Sequence, residues 1–142
     1  MKLKNFFKNI NKDFRNISFK GFEFNSKKIK RNYIFFAIQG NKLDGNNFIN
    51  DAIIRGARII VSNKFKTGIN KGVLYINVID PRLALSNFAN KYHKKKPKNI
   101  IAVTGTNGKS SIVNFYYQIL KLNKKKVASI GTLGVNANGF KL

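Results

Sequence analysis

The chain has no cysteine and no tryptophan, and only one histidine, one methionine and two prolines among its 142 residues. Zero cysteine excludes disulfides, thiolate metal sites and cysteine nucleophiles, and a single imidazole leaves little room for histidine chemistry. Acid is nearly as scarce, with five Asp and Glu against 28 Lys and Arg, a formal charge of +23. Asp44 and Asp51 are too isolated to work as a carboxylate pair. Long apolar runs are missing too. No stretch approaches the roughly 18 uncharged residues of a membrane span, and the opening MKLKNFFKNINKDF has no continuous apolar segment after its charges. The expected location is the cytoplasm.

What is present points to a folded α/β chain. Hydrophobic residues make up 43% and aromatics 13%, with 13 Phe, enough for a sizeable core. The basic charge by itself would suggest a nucleic acid or an anionic surface. Its make-up argues otherwise: 23 Lys stand against five Arg, beside 21 Asn and 18 Ile, a joint excess that reflects A/T-rich codons. Nucleic-acid readers lean on the forked guanidinium, which is scarce here. A small basic nucleic-acid-binding protein is the alternative reading, and no nucleic-acid partner is expected.

Along the chain, Tyr33 to Ile38 reads as a buried strand and Asn41 to Asn47 as a loop. Phe48 to Arg55 has helical spacing, with Asn46 or Asn47 as N-cap and Gly56 as the stop. Strands are expected at Arg58 to Val61 and Val73 to Ile79. Asp80-Pro81 then opens a helix carrying Leu85, Phe88, Ala89 and Tyr92 on one face. Phe6-Phe7 and Phe35-Phe36 read as core, and His93 as a helix-end or exposed residue. The Lys94-Lys95-Lys96-Pro97 stretch ends that helix, so the expected domains are residues 1–97 and 98–142. Beyond it come a strand at Ile100 to Val103, a loop at Thr104 to Lys109, a helix from Ser110 to Leu122 and a strand from Lys126 to Ile130. One strand, one helix and part of another strand cannot cover a parallel sheet, so the second domain reads as the opening of something larger and the chain as a fragment.

The strongest chemical signal is Thr104-Gly105-Thr106-Asn107-Gly108-Lys109-Ser110-Ser111 between strand and helix. Glycines let the backbone approach a polyphosphate, successive N–H groups face its oxygens, and the helix N-terminus adds positive potential. Lys109 would sit over the β and γ phosphates and the Ser110 hydroxyl would reach Mg²⁺. The strict G-x-x-x-x-G-K-[ST] pattern is not met, because Val103 stands where its first glycine belongs and the glycine falls at Gly105.

That variant, Ala102-Val103-Thr104-Gly105-Thr106-Asn107-Gly108-Lys109-Ser110, resembles the ATP loop of the Mur ligase superfamily, whose hallmark is TGTNGK followed by Ser or Thr. In the first domain, Asn25-Ser26-Lys27, Tyr33 to Gly40, Asp44-Gly45, Phe48-Ile49, Ala52 and Gly56-Ala57 resemble the D-S-R, D-L-F-V-A-x-x-G, D-G-x-x-F-I, A and G-A series of MurE-type and MurF-type enzymes. The stretch Val127 to Gly134 is similar to the MurE-type ending I-G-T-x-G, which favours MurE-type, with MurF-type as the alternative. Two positions depart from the pattern, since D-S-R reads Asn25-Ser26-Lys27 and loses a carboxylate and a guanidinium.

The resemblance implies a small UDP-binding α/β domain followed by the start of a P-loop ATP-binding α/β domain. It implies an ATP- and Mg²⁺-dependent ligase of peptidoglycan precursor synthesis that adds the third amino acid to UDP-N-acetylmuramoyl-L-alanyl-D-glutamate through an acyl phosphate. ATP would be held by Gly105, Thr106, Asn107, Gly108, Lys109, Ser110 and Ser111, with Lys109 catalytic and Ser110 a partial Mg²⁺ site. Phe24 and Ser26 would touch the UDP-sugar, and Asn41, Lys42 and Leu43 would close over it. The substrates would be the UDP-sugar dipeptide and an amino acid, diaminopimelate or lysine. The other Mg²⁺ ligands and a carbamylated lysine are expected further along such a protein. The chain is expected to be monomeric, with no membrane span, and inactive by itself.

Overall fold

The computed structural model describes residues 1–132 and 134–138. The chain divides into two compact units, Met1–Lys96 and Pro97–Leu142.

The first unit is built on a five-stranded sheet. Strands β1 (Gly21–Glu23), β2 (Tyr33–Phe36), β3 (Ala57–Ser62) and β5 (Val73–Asn77) run parallel, and β4 (Gly68–Asn70) closes one edge antiparallel to β5, in the order β1-β2-β3-β5-β4. The central strands are apolar on both faces because both faces are covered, as parallel sheets require. Ile34, Phe36, Ile59, Val61, Leu74 and Ile76 point to one side, where they meet Leu3, Ile10 and Phe19 of the N-terminal segment and Phe88 of helix α2 (Pro81–Tyr92). Phe35, Ala37, Ile60 and Val73 point to the other side, against Ile29 and against Ile49 and Ala52 of helix α1 (Ile49–Ile54). Alternation along each strand thus assigns its residues to two cores.

Phe88 is the hub of the first core. The rings of Phe6, Phe19, Phe22 and Phe36 lie with centroids 4.4 to 5.5 Å from its own. Phe6 and Phe7 pack on this core, as their apolar character suggests, and Phe35 and Phe36 are fully buried. α2 begins as read from sequence: the Asp80 carboxylate accepts from the N–H groups of Arg82 and Leu83, and Pro81 fills the first turn. His93 is its C-cap, its N–H donating to the Ala89 carbonyl.

The start of α1 differs from the sequence reading. A 3-10 turn over Gly45–Phe48 precedes it, and the capping residue is Asp44, not Asn46 or Asn47; α1 itself has no side-chain cap. The 3-10 turn already supplies carbonyls and amides in series, so the first free N–H groups belong to Asn46 and its neighbours, and Asp44 stands two residues before them. Gly56 does end α1, at φ +105°, its N–H donating to the Ile53 carbonyl.

The second unit contains helix α3 (Lys109–Leu122) and an antiparallel hairpin of β6 (Val127–Gly131) and β7 (Gly134–Asn138). Ile100 to Val103, expected as a strand, is not one: β6 and β7 pair only with each other, so the segment has no ladder partner. Val113, Tyr117 and Leu120 are half-buried on one side of α3, while Ile112, Tyr116 and Ile119 are exposed. Leu133, part of the I-G-T-x-G stretch, lies outside the described residues.

Candidate functional site

In the first unit, the four parallel strands end on the same edge, and the residues singled out from sequence collect there. Open α/β sheets place ligands beyond this carboxyl edge. Phe24 follows β1 directly and is exposed, while Ser26 two residues on is buried. Asn25 accepts from the Lys27 N–H at 3.0 Å and so caps the 3-10 turn Ser26–Lys28. The amide replaces the carboxylate of the resembled motif without loss of the cap. The Ser26 hydroxyl faces Asp51, and its hydrogen bond is the largest influence holding that carboxylate below the ordinary range, followed by the Arg55 guanidinium at 2.9 Å. Ser26 is therefore anchored from behind by α1.

The loop after β2 carries Asn41, Lys42 and Leu43, all exposed at its tip. Its base is closed by a bridge between Gln39 and Asp44 and by the Gly40 N–H donating to the Leu43 carbonyl at 2.8 Å. Arg82, in the first turn of α2, donates to the Gln39 carbonyl at 3.0 Å. Behind the loop, Asp44 Oδ1 accepts from the backbone and side-chain N–H groups of Asn46, and Asp44 Oδ2 lies 2.7 Å from Lys64 Nζ. These bonds, that to Lys64 first, lower the Asp44 carboxyl from 3.8 to about 2. Gly45 is required by space: a Cβ there would stand 2.6 Å from the backbone N and O of Ile38. Sequence reading missed Arg82, Lys64 and Asp51. Only Asp51 and Arg55, four apart on a helix, had left a signal.

In the second unit, the loop Thr104 to Gly108 leads into α3, with Gly108 as N-cap at φ +77° and Gly105 at φ +147°. Both conformations favour glycine, and no atom lies within 4 Å of a Cβ placed on Gly108. Lys109 opens the helix and turns back, its Nζ donating to the carbonyls of Gly105 and Thr106, the latter at 2.9 Å. Ser110 Oγ lies 3.4 Å from Thr132 Oγ1 at the end of β6. A cavity of about 210 Å³ opens beside them, lined by Lys109, Ser110, Asn114 and Thr132 among others. Thr106, Asn107 and Ser111 are exposed in the same loop and first turn. Exposed amides, a hydroxyl pair and one ammonium suit an anion with several oxygens. Among the described residues, no group of three or more His, Cys, Asp or Glu could hold a metal ion. No described helix is long and apolar enough to cross a membrane.

A parallel α/β sheet with its loops gathered at the carboxyl edge, followed by a glycine loop at the head of a helix, defines the general class. The family model described as "Mur ligase family, catalytic domain" matches residues 18–93. The chain belongs to the Mur ligase family. It is 47% identical, over 92% of its length and 27% of the relative's, to the UDP-N-acetylmuramoyl-L-alanyl-D-glutamate--2,6-diaminopimelate ligase of Rickettsia prowazekii. The ligase of the same name from Clostridium acetobutylicum is 35% identical over 94% of this chain and 29% of that protein. The chain thus spans little more than a quarter of the length of these curated relatives.

Solved structures show the same architecture. A MurF ligase from Thermotoga maritima in complex with ADP matches 80% of this chain and 26% of its own, with a TM-score of 0.62 and 26% identity. A UDP-N-acetylmuramoyl-L-alanyl-D-glutamate--2,6-diaminopimelate ligase matches 99% of this chain and 29% of its own, with a TM-score of 0.71 and 23% identity, a likeness of fold.

Proposed function

We propose that this chain supplies the UDP-sugar-binding unit and the phosphate loop of an ATP-dependent ligase of peptidoglycan precursor synthesis. The reaction is addition of the third amino acid to UDP-N-acetylmuramoyl-L-alanyl-D-glutamate, with MurE-type chemistry favoured over MurF-type by the names of the relatives at 42–47% identity. Their acceptor, 2,6-diaminopimelate, is the acceptor we assign. The observation that carries the reading is the loop Gly105 to Ser110, with two glycines in glycine-favouring conformations and Lys109 at the helix head beside an open cavity.

Residues 1–96 form the UDP-binding domain in this reading, and residues 97 onward begin the ATP-binding domain. Gly105 to Gly108 and Ser111 present amides to the phosphates of ATP. Lys109, released from the carbonyls of Gly105 and Thr106, neutralises charge on the phosphoryl group as it moves to the glutamate carboxylate. Ser110 and its neighbour Thr132 offer hydroxyl oxygens to Mg²⁺, which supplies charge neutralisation when bound. The described residues provide hydroxyls but no carboxylate cluster, so they make only part of a Mg²⁺ site. At the carboxyl edge of the sheet, Ser26 and Lys42 meet the diphosphate, Phe24 and Leu43 give apolar cover to the uracil, and Asn41 adds an amide at the loop tip.

Calorimetric titration of the 142-residue chain with UDP-N-acetylmuramoyl-L-alanyl-D-glutamate, and separately with an ATP analogue, tests both halves. Binding of the first should weaken in Ser26→Ala and Leu43→Ala, and binding of the second in Lys109→Ala. A folded chain that binds neither overturns the reading.

A further inference from the structure

The loop assigned to the UDP-sugar is fastened at both stems, by different means. Its exit stem is tied down by Asp44, which bonds Asn46 and Lys64, and by the Gly45 N–H, which donates to the Ile38 carbonyl at 2.9 Å. Its entry stem is held by a side chain from a distant element: Arg82 Nη2 donates to the Gln39 carbonyl at 3.0 Å, across 43 residues of chain. Between the stems, the Gln39–Asp44 bridge and the bond from the Gly40 N–H to the Leu43 carbonyl fold the tip, where Asn41, Lys42 and Leu43 are exposed.

Arg82 is itself a fixed anchor. The Asp80 carboxylate accepts from the N–H groups of Arg82 and Leu83 at 2.8 and 3.1 Å, and Pro81 is buried in the same turn, so the backbone of Arg82 is set by the start of α2. Helical side chains lean toward the N-terminus of their helix, which here is the carboxyl edge of the sheet. Arg82 is exposed, and among the described residues no carboxylate pairs with it. Its recorded side-chain partner is the loop carbonyl. A charge-assisted bond from a planar guanidinium fixes direction as well as distance. At an exposed site such a bond adds little to global stability, so its effect falls on the loop.

We propose that Arg82 is a positioning residue for the UDP-sugar: by holding the Gln39 carbonyl it keeps Asn41, Lys42 and Leu43 in the pose that receives the uridine before the ligand arrives. The inference rests on the assignment of that loop to the UDP-sugar. A loop that is competent for only part of the time lowers apparent affinity by the competent fraction, whatever charge the ligand carries. A guanidinium in direct contact with the diphosphate would act only on ligands that carry phosphate. The two roles therefore separate on uridine, which has none.

Amide NMR of the ¹⁵N-labelled 142-residue chain tests the assignment in two stages. Without ligand, Arg82→Met should speed hydrogen exchange at the Gly40 amide about tenfold and leave the Gly45 amide, at the exit stem, within about twofold of the parent. The melting temperature should stay within about two degrees. Titrations with uridine and with UDP, followed by amide shifts, should then weaken by the same factor, roughly five- to tenfold, in Arg82→Met. Arg82→Lys keeps a donor for the Gln39 carbonyl and should recover most of both losses. Weakening confined to UDP, with uridine bound as in the parent, would make Arg82 a phosphate ligand and overturn the positioning role. Unchanged exchange at Gly40 in Arg82→Met overturns it as well, as does unchanged affinity for both ligands. A parent chain that binds neither uridine nor UDP overturns the UDP-sugar reading and this role with it, whereas a parent that binds both beside an Arg82→Met that binds them equally well overturns the role alone.

Discussion

Ser62 Oγ donates to Asn46 Oδ1 at 2.7 Å, joining the last residue of β3 to the 3-10 turn that follows the β2 loop. The same oxygen accepts from the Lys64 N–H at 3.0 Å, and Ser62 is fully buried. Removing it leaves the half-buried Asn46 Oδ1 and the Lys64 N–H without this partner. Ser62→Ala should cost about 1–3 kcal/mol in chemical denaturation, and it should weaken UDP-sugar binding by loosening the turn behind Asn41 to Leu43. Unchanged stability would show that water replaces the hydroxyl.

Asp44 is held at about 2 by Lys64 and Asn46. A carboxyl depressed in the folded state stabilises the fold above its ordinary value of 3.8 and loses that contribution as pH falls through the folded value. Asp44→Asn keeps a capping oxygen but removes the charge. The variant should melt lower than the parent at pH 7, and the gap should close as pH is taken from 4 to 2. A gap that persists at the acid end would assign the effect to hydrogen bonding.

Gly45 has no room for a side chain, with Ile38 backbone atoms 2.6 Å from the Cβ position. Gly45→Ala must push the loop base away from β2 and should destabilise by about 1–3 kcal/mol. Gly68→Ala, where nothing lies within 4 Å, is the control and should be nearly neutral.

Lys109 is exposed, and its recorded partners are carbonyls of its own loop. Lys109→Met should therefore leave the melting temperature unchanged within about a degree, as exposed substitutions away from the core do, while nucleotide affinity falls steeply. Loss of both together would mean the ammonium holds the loop in shape.

Phe88→Ala removes the ring on which six other aromatic rings converge and should cost about 3–5 kcal/mol. Urea titration reads it directly.

The central strands were legible because burial on both faces demands unbroken apolar sequence, as in Tyr33 to Ile38 and Val73 to Ile76. Asp80-Pro81 and Gly56 were legible because caps act through their immediate neighbours. β1 and β4, three residues each, escaped, since so short a run carries no periodicity and exists only by pairing with β2 and β5. Ile100 to Val103 shows the converse: β-branched sequence is not a strand without a partner. The phosphate loop stood out because glycine, lysine and serine follow one another at fixed spacing. Arg82, 43 residues from Gln39, joins the β2 loop by a contact that only folding creates.

The two units differ in what shields their backbones. Among the described residues, every fully buried side chain belongs to Met1–Lys96, and α3 buries none. Amide hydrogens should report this as two populations. Those of β2 and β3 wait for global unfolding before exchanging with deuterium, whereas those of α3 exchange through local opening at far lower cost. A ligand that binds only the ordered loop would slow exchange along α3 and leave β2 and β3 as they were. The isotope uptake of one helix would then serve as a gauge of occupancy, read from the protein without any turnover.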